Sequence, residues 1–392
     1  MTLDKDKLRG ETPGCSHRIH LNNAGAALMP QPVVDAHIGH LELETRIGGY
    51  EAAADQHEAL EDAYSVAASF FNARADEIAF VENATRAWDM AFYSIPFQEG
   101  DRILTAQSEY VSNYLAYLQM QKRTGVGVEV IPNDEHGQIS VDALAEMLDE
   151  NVKLISITHV PTSGGLVNPA AAIGRLAKNA GILYLLDACQ SAGQMPLDVE
   201  ELGCDLLSGT GRKFLRGPRG TGFLYVRREI LDALEPPFID LHAATWTAVG
   251  SYELRADARR FENWETNFAG KLGLAKAFEY ADSVGMEAIW AEIQVLATAL
   301  REKLAAIPGL HLADDGELRC GIVTFHVDGH APGDIVAALR ESGINMSSVA
   351  LESARLDMET RHLPPLVRAS VHYYNTLDEL DEAASALTRL VT

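Results

Sequence analysis

The sequence predicts an α/β fold with a doubly wound, mainly parallel sheet, followed by a smaller α+β C-terminal domain. Between about residues 75 and 230, short apolar runs alternate with stretches that have helical periodicity. Alternating strands and helices are typical of a parallel sheet with helices on both faces. The runs that predict strands buried on both faces are Ile78–Val81, Leu154–Thr158, Leu183–Leu186 and Phe223–Val226.

The helices are indicated by their composition and by the residues at their ends. Ala170–Ala180 follows Pro169 and stops at Gly181, two residue types that often flank a helix. Residues 270–306 are rich in Ala, Leu, Glu and Lys, which predicts helix with a break at Gly285.

After Pro308 the pattern changes to that of a smaller unit with its own strands and helices. We therefore expect a large domain over residues 18–270 and a small domain over residues 271–392, with residues 1–17 packing against the small domain. The predicted strands and helices of the small domain are Gly321–Val327, Pro332–Ser342, Leu366–Tyr374 and Leu377–Val391.

The composition excludes several classes of protein. The chain of 392 residues has 32 Lys and Arg against 56 Asp and Glu, a net charge of -24, which argues against a nucleic-acid partner because phosphate contacts need clustered cations. No run of about 18 apolar residues predicts a membrane span, and the charged stretch Met1–Gly10 does not resemble a signal peptide. The four cysteines are scattered. They predict neither a disulfide framework nor a metal site, and they suit the cytoplasm.

Two residues near predicted strand ends carry the main chemical signal. Asp187 directly follows the strand that ends at Leu186, and Lys213 lies in a polar turn before the glycine-rich stretch Gly217–Gly222. Ligands bind at the carboxyl ends of strands in open α/β sheets. An acid there can simply cap a helix, and a lone lysine in a loop is normally solvated. Together they are what pyridoxal phosphate (PLP) requires, because a lysine binds its aldehyde and an acid keeps its ring nitrogen protonated.

Two further segments suit the rest of such a site. Asn83–Arg86 follows the strand Ile78–Val81 and opens a helix, so Ala84 and Thr85 can donate to a phosphate; a plain N-cap by Asn83 is the alternative. Arg368 lies inside a half-buried strand. A specific partner there is a better interpretation than a surface charge.

The order and spacing of eight short motifs resemble the class V aminotransferase family of fold-type I PLP enzymes. That family includes cysteine desulfurases, selenocysteine lyases, C–S lyases and isopenicillin epimerases. The resemblance extends over about residues 18–391. The motifs are Leu21–Gly25, Asn83–Thr85, Glu109–Tyr110, Thr158–Val160, Asp187–Gln190, Gly211–Lys213, Gly217–Gly222 and Arg368–Asn375.

The resemblance implies a cofactor contact for several positions. Lys213 would be the Schiff-base lysine and would move the proton at Cα. Asp187 would pair with the ring nitrogen, Gln190 would bind the ring hydroxyl and Tyr110 would stack on the ring. The resemblance also implies a homodimer with shared active sites. The phosphate contacts would be Ala84, Thr85, Thr210 and Thr266, the last from the partner subunit.

The substrate, a small amino acid, would contact three residues in this resemblance. Arg368 would bind its α-carboxylate through a bidentate fork, and Asn23 and Arg86 are expected beside it. Arg86 could bind a second acidic group of the substrate or could simply pair with Asp89.

The chain departs from the cysteine desulfurases of the family. Those enzymes carry a persulfide-forming cysteine shortly before the substrate arginine, whereas residues 321–368 contain no cysteine. Cys320 opens a strand and is interpreted as a buried apolar residue. The residue before the lysine is Arg212 where desulfurases have histidine. The segment Pro161–Gly164, where desulfurases have asparagine, resembles the lyases of the family more closely.

These departures predict a PLP-dependent lyase that expels a sulfur group from Cβ of a cysteine-derived amino acid. Lys213 would remove the Cα proton, and the product would break down to pyruvate and ammonia. An aminotransferase is the close alternative, because the same residues serve transamination. A racemase and a PLP-binding protein without turnover are the remaining alternatives. The sequence does not separate these reactions, because the choice depends on geometry at Cα.

Overall fold

A computed structural model describes residues 3–391 of the chain as mixed α/β. Its strands are β1 (Ile19–His20), β2 (Ile78–Val81), β3 (Arg102–Thr105), β4 (Gly127–Val130), β5 (Val152–Thr158), β6 (Leu183–Asp187), β7 (Leu206–Thr210), β8 (Gly222–Val226), β9 (Ala244–Ala248), β10 (Ser251–Leu254), β11 (Leu310–Leu312), β12 (Ile322–Val327), β13 (Ile344–Asn345), β14 (Ser347–Val349) and β15 (Leu366–Ser370). Its α-helices are α1 (Lys5–Gly10), α2 (Gln31–Ile47), α3 (Gly49–Asp55), α4 (His57–Phe71), α5 (Ala84–Phe92), α6 (Val111–Thr124), α7 (Val141–Met147), α8 (Ala170–Ala180), α9 (Val199–Leu202), α10 (Phe268–Val284), α11 (Met286–Ala305), α12 (Pro332–Glu341), α13 (Arg355–Thr360) and α14 (Leu377–Val391).

The large sheet has seven strands in the order β2-β8-β7-β6-β5-β3-β4. All neighbours are parallel except β8, which is antiparallel to β2 and to β7. Successive side chains of a strand point to opposite faces. Leu185 and Leu186 therefore belong to different apolar cores, one on each side of the sheet. The predicted doubly wound, mainly parallel sheet is confirmed.

The small sheet is antiparallel, in the order β11-β12-β15-β14. The strand predicted over Leu366–Tyr374 ends earlier, at Ser370, because His372 and Asn375 form a turn in which the Asn375 N–H donates to the His372 carbonyl at 2.9 Å. The sequence did not predict β11 and β14, which are three residues long and too short to show a period.

The N-terminal helix α1 contacts the C-terminal part of the chain. Lys5 is 2.6 Å from Glu292, and Arg9 is 2.8 Å from Glu379. Both partners lie beyond residue 270; Met1 and Thr2 lie outside the described residues. The boundary near residue 270 stays a proposal, and it falls inside α10, which packs against α2 and α4.

Two further features bear on partners and ligands. Over residues 3–391, the structure contains no helix long and apolar enough to cross a membrane. The same residues contain no group of three or more His, Cys, Asp or Glu side chains placed to hold a metal ion.

Candidate active site

Three parallel strands end around one cavity. β5 ends at Thr158, β6 at Asp187 and β7 at Thr210, and Thr158 lies opposite Asp187 in the sheet. The cavity has about 630 Å³ of space free of protein atoms, part of it open to solvent. Seven residues that the sequence predicts for the site line it: Ala84, Thr85, Tyr110, Asp187, Gln190, Thr210 and Lys213.

Lys213 is buried in the cavity wall, with 8% of its surface exposed. Its amine has no hydrogen bond or ion pair within residues 3–391, and burial lowers the pKa of this amine while the nearby Asp187 opposes the shift. A buried amine without a partner is costly to keep charged. Lys213 is therefore suited to act as a neutral amine, which is the form that attacks an aldehyde or accepts a proton.

Asp187 is a buried carboxylate, 4% exposed, and no cation pairs with it in the described chain. One oxygen accepts the Cys189 N–H at 2.9 Å, and the other accepts the Asn113 amide at 3.0 Å. A buried carboxylate ordinarily needs a cationic partner. A ligand with a protonated ring nitrogen would supply the missing charge.

Glu109 lies behind Asp187 and holds the same amide group. The Asn113 amide donates to Glu109 at 3.0 Å as well as to Asp187. Glu109 also accepts the Tyr110 N–H at 2.7 Å and hydrogen bonds from Thr158. Burial raises the pKa of Glu109 to about 7, against these hydrogen bonds, and Asp187 adds to the increase. Glu109 thus joins the start of α6 to the end of β5.

The N-terminus of α5 forms one end of the cavity. Asn83 caps this helix, because its side chain accepts the Arg86 N–H at 2.9 Å. A Cβ at Gly222 would lie 2.5 Å from the Asn83 carbonyl carbon and 2.9 Å from the Ala84 nitrogen. Only glycine allows β8 to approach this turn so closely. The free N–H groups at the start of α5 form a cradle that fits a phosphate, and Thr210 lies beside it with its hydroxyl donating to the Thr221 carbonyl at 3.1 Å.

Arg368 is a buried arginine that does not line the cavity itself but contacts Thr162, which does. Nη1 of Arg368 donates to the Thr162 carbonyl at 2.9 Å and to its hydroxyl at 2.7 Å, and Nη2 is 3.5 Å from Asn22 Oδ1. Nε of Arg368 is buried without a partner. The edge formed by Nε and Nη2 is therefore the part of this guanidinium left for a carboxylate. Burial, followed by the charge of Arg212, lowers the pKa of Arg368 to about 10.

Gln190 connects the two ends of the cavity. Its amide nitrogen donates to the Ala24 carbonyl at 3.1 Å and to the Thr162 hydroxyl at 2.9 Å. Its amide oxygen is buried without a partner. A buried acceptor of this kind fits a ligand hydroxyl.

The structure does not bring three predicted residues to the cavity. Asn23 uses its whole amide in other bonds, to the carbonyls of His20 and Ser370 and with the Tyr374 hydroxyl. Its neighbour Asn22 is the one that reaches Arg368, which corrects the expectation of a substrate contact for Asn23.

Arg86 and Thr266 also lie away from the cavity. Arg86 lies 3.8 Å over the ring of Phe238 and is 3.1 Å from Asn263, so its guanidinium has other partners. The expected pairing of Arg86 with Asp89 gives way to a 3.7 Å contact with Glu82. Thr266 lies beside a separate cavity.

Sequence reasoning missed Asn113 and Thr162 as site residues. Asn113 lies three residues after Tyr110 on the first turn of α6, a spacing that puts both near the same end of a helix. Thr162 was visible only as part of Pro161–Gly164. Neither the spacing of Asn113 nor the segment that contains Thr162 indicates by itself which residue the side chain contacts.

A buried lysine, a carboxylate without a cation, an unpartnered amide oxygen and a helix N-terminus surround one cavity at the strand ends. These residues fit PLP, with its aldehyde, ring nitrogen, hydroxyl and phosphate. The fold and the cavity define the class as a PLP-dependent enzyme of the doubly wound type.

Comparison with known proteins identifies the family. The sequence profile of the aminotransferase class-V family matches residues 19–382. A cysteine desulfurase of Cronobacter sakazakii is 30% identical over 410 residues, covering 100% of this chain and 99% of that protein. The apo structure of a cysteine desulfurase from Thermococcus onnurineus NA1 is 28% identical with a TM-score of 0.93, covering 100% and 98% of the two chains. The chain belongs to the class-V aminotransferase family.

One further solved structure shares the fold at lower sequence identity. A cystine C–S lyase in complex with its product cysteine persulfide is 24% identical with a TM-score of 0.86, covering 96% of this chain and 99% of that one. This likeness establishes the shared fold.

The raised pKa of Glu109 predicts a pH effect on stability. Because its folded pKa of about 7 exceeds the ordinary 4.5, the folded state keeps a proton that the unfolded state loses. The stabilisation is full below pH 4.5 and is lost as the pH rises through 7. Relative to Glu109→Gln, which does not titrate, the wild-type apoprotein should lose about 1–3 kcal/mol between pH 4.5 and 7.5.

Thermal and urea unfolding at several pH values would measure this difference. Glu146→Gln, at an exposed position of α7, should run parallel to the wild type. Parallel curves for the wild type and Glu109→Gln would mean that Glu109 titrates in the folded protein as it does in the unfolded chain, without a raised pKa.

Proposed function

We propose that this PLP-dependent enzyme is a lyase that cleaves the Cβ–S bond of a cysteine-derived amino acid. The cofactor, when bound, supplies an electron sink that stabilises negative charge at Cα. Lys213 would hold the cofactor and then, as a neutral amine, take the proton from Cα. The electron pair left at Cα forms the Cα–Cβ double bond, and the sulfur group leaves with the electrons of the Cβ–S bond. The resulting aminoacrylate hydrolyses to pyruvate and ammonia.

The observation that carries this proposal is that, within the described part of the chain, Cys189 is the one cysteine lining the cavity and that residues 321–368 contain none. Cys204 and Cys320 are fully buried. Cys189 is the cysteine that lines the cavity, but burial and then Asp187 raise the pKa of its thiol. A persulfide acceptor has to react as a thiolate. The segment between β14 and β15 lines a neighbouring cavity with Ser353 and Asp357 and contains no cysteine.

The close alternative is a cysteine desulfurase, the activity named for the relatives. It would require Cys189 to accept sulfur despite its environment, and its product would be alanine. An aminotransferase is the second alternative, since Lys213 and Asp187 would serve it equally. We place the protein in the cytoplasm, because four unpaired cysteines suit a reducing compartment.

The remaining site residues would position the cofactor and the substrate. Asp187 would pair with the ring nitrogen, with Asn113 keeping its carboxylate in place, and Gln190 would accept a hydrogen bond from the ring hydroxyl. Tyr110, at the start of α6 and on the cavity wall, would stack on the ring. Ala84, Thr85 and Thr210 would bind the phosphate, together with Thr266 of the partner subunit.

We propose that the enzyme is a homodimer with shared active sites. The hairpin β9–β10 projects apolar side chains into solvent, including Trp246 at 76% and Val249 at 95% exposure. Trp264 and Leu241 are also exposed. Large exposed apolar groups in one region of a surface indicate an interface. A second copy of this chain is the partner that would also bring its own Thr266 to the active-site cavity of the first.

Turnover by the purified, PLP-loaded protein tests the proposed reaction. With S-substituted cysteines and no keto-acid acceptor, we expect multiple turnovers that release pyruvate and ammonia. Lys213→Ala should lose at least about 10²–10⁴-fold in rate, the usual share of a general base. Lys276→Ala, at an exposed lysine of α10, and Cys189→Ala should both keep turnover.

Products other than pyruvate and ammonia would identify the two alternative reactions. Alanine and sulfur, with loss of turnover in Cys189→Ala, would establish a desulfurase. A single turnover that leaves the cofactor in its aminated form would establish an aminotransferase.

Arg368→Ala should raise KM for every α-carboxylate substrate by roughly 10-fold or more, because it removes a charge-assisted bidentate pair. Arg368→Lys should recover part of this loss, since a single donor replaces the fork. Steady-state kinetics on the wild type and both variants give the comparison. An unchanged KM in Arg368→Ala would remove this residue from the substrate site.

The dimer is tested by light scattering combined with activity. The wild type should have the mass of two chains, and Trp246→Glu should shift it towards one chain and lower turnover together. Val295→Glu, an equally polar change at an exposed valine of α11, should leave the mass unchanged. A fully active wild-type monomer would contradict the shared site.

A further inference from the structure

Two arginines lie close together at the substrate end of the cavity, and neither has an acidic partner. Arg212 lines the cavity, and Arg368 contacts Thr162 in its wall. Over residues 3–391, no Asp or Glu forms an ion pair with either guanidinium, although most other arginines pair with acids. The chain has 56 acidic residues for 32 basic ones. A guanidinium that lines a cavity without an acidic partner is one that an anionic ligand could neutralise.

Both arginines contact the same short segment of the chain, residues 22–25. Nη1 of Arg212 donates to the Gly25 carbonyl, and Nη2 of Arg368 is 3.5 Å from Asn22 Oδ1. The backbone of Arg212 is fixed as well, because its carbonyl accepts the Ala27 N–H at 2.9 Å. Nε and Nη2 of Arg212 make no hydrogen bond within the described residues. Arg212 therefore keeps donors free beside the cavity.

The two charges disfavour each other. The charge of Arg212 lowers the pKa of Arg368, second only to burial, and also lowers the pKa of Lys213. A substrate with a single carboxylate would neutralise Arg368 and leave Arg212 without an anion. A substrate with two anionic groups would neutralise both.

We propose that Arg212 binds a second anionic group, carried by the sulfur substituent of the substrate. The substrate class is then a cysteine-derived amino acid with a second carboxylate. This inference rests on the proposed function, because it takes Arg368 as the partner of the α-carboxylate. Arg212 takes the part that the sequence suggested for Arg86, whose guanidinium lies on Phe238.

The one hydrogen bond of the Arg212 side chain within the described residues is to the segment that also reaches Arg368. That bond is to Gly25, whereas the phosphate cradle is formed at the start of α5, with Thr210 beside it. Binding of the cofactor phosphate by Arg212 is the competing role.

A pair of ligands that differ only in charge tests the proposal. S-carboxymethyl-L-cysteine and S-carboxamidomethyl-L-cysteine have nearly the same shape, and one carries the second carboxylate. Their dissociation constants are measured from the change in cofactor absorbance of the PLP-loaded enzyme. The wild type should bind the carboxylate roughly 10- to 100-fold more tightly than the amide, the effect of a charge-assisted pair.

Variants assign this preference to a residue. Arg212→Gln should bring the ratio of the two constants to about one, and Arg212→Lys should retain part of it. Arg219→Gln, an exposed arginine six residues beyond Lys213, should keep the full ratio. Cofactor retention after dialysis is measured on the same samples.

Each contrary result has its own meaning. Equal binding of both ligands by the wild type, or an unchanged ratio in Arg212→Gln, would overturn the proposal. Loss of cofactor from Arg212→Gln with an unchanged ratio would also overturn it and assign Arg212 to the phosphate. If no amino acid changed the cofactor absorbance of the wild type, the proposed function itself would fail, and this inference with it.

Discussion

The active site depends on burying the Asp187 carboxylate without a cation of its own. Two hydrogen bonds hold this group, from the Cys189 N–H and from the Asn113 amide. A buried carboxylate ordinarily needs a cation, which a ligand with a protonated ring nitrogen would supply. Glu109 anchors Asn113 from behind and has a pKa of about 7. Glu109 therefore carries less than a full negative charge beside Asp187 at and below pH 7.

The substrate end of the cavity depends on a different constraint, the closure of the small sheet on the large one. Arg368 is on β15, and its guanidinium is held by Thr162 from the loop after β5. The N-terminal segment fills the space between them, since Ile19 pairs with Ile344 and Asn22 bridges to Ser370. A change in this closure would move the arginine relative to Lys213. The chemistry at Cα therefore depends on how the two sheets are joined.

Much of the fold could be predicted from the sequence, because its elements are long or strongly periodic. Helix Ala170–Ala180 and strand Ile78–Val81 have the bounds expected, and the helix break at Gly285 is confirmed. The sequence predicted the end of β15 too late. The turn at His372 depends on a hydrogen bond in which the His372 N–H donates to the Asn375 side-chain oxygen. The order of the motifs also predicted seven residues that the structure places around one cavity. Asn23 was misassigned because periodicity does not distinguish it from Asn22, and only the contact with Arg368 does.

The sequence by itself determined the class of sheet, the positions of Asp187 and Lys213 at strand ends and the family. These depend on local pattern and on the order of motifs along the chain. Only the tertiary structure decided that Asn113 connects Glu109 to Asp187, that Arg86 lies on Phe238, and that Arg212 and Arg368 share an end of the cavity without acidic partners. Arg212 and Arg368 are 156 positions apart, and no local pattern encodes whether such distant charges meet or what neutralises them. Their proximity follows from the packing of the two sheets.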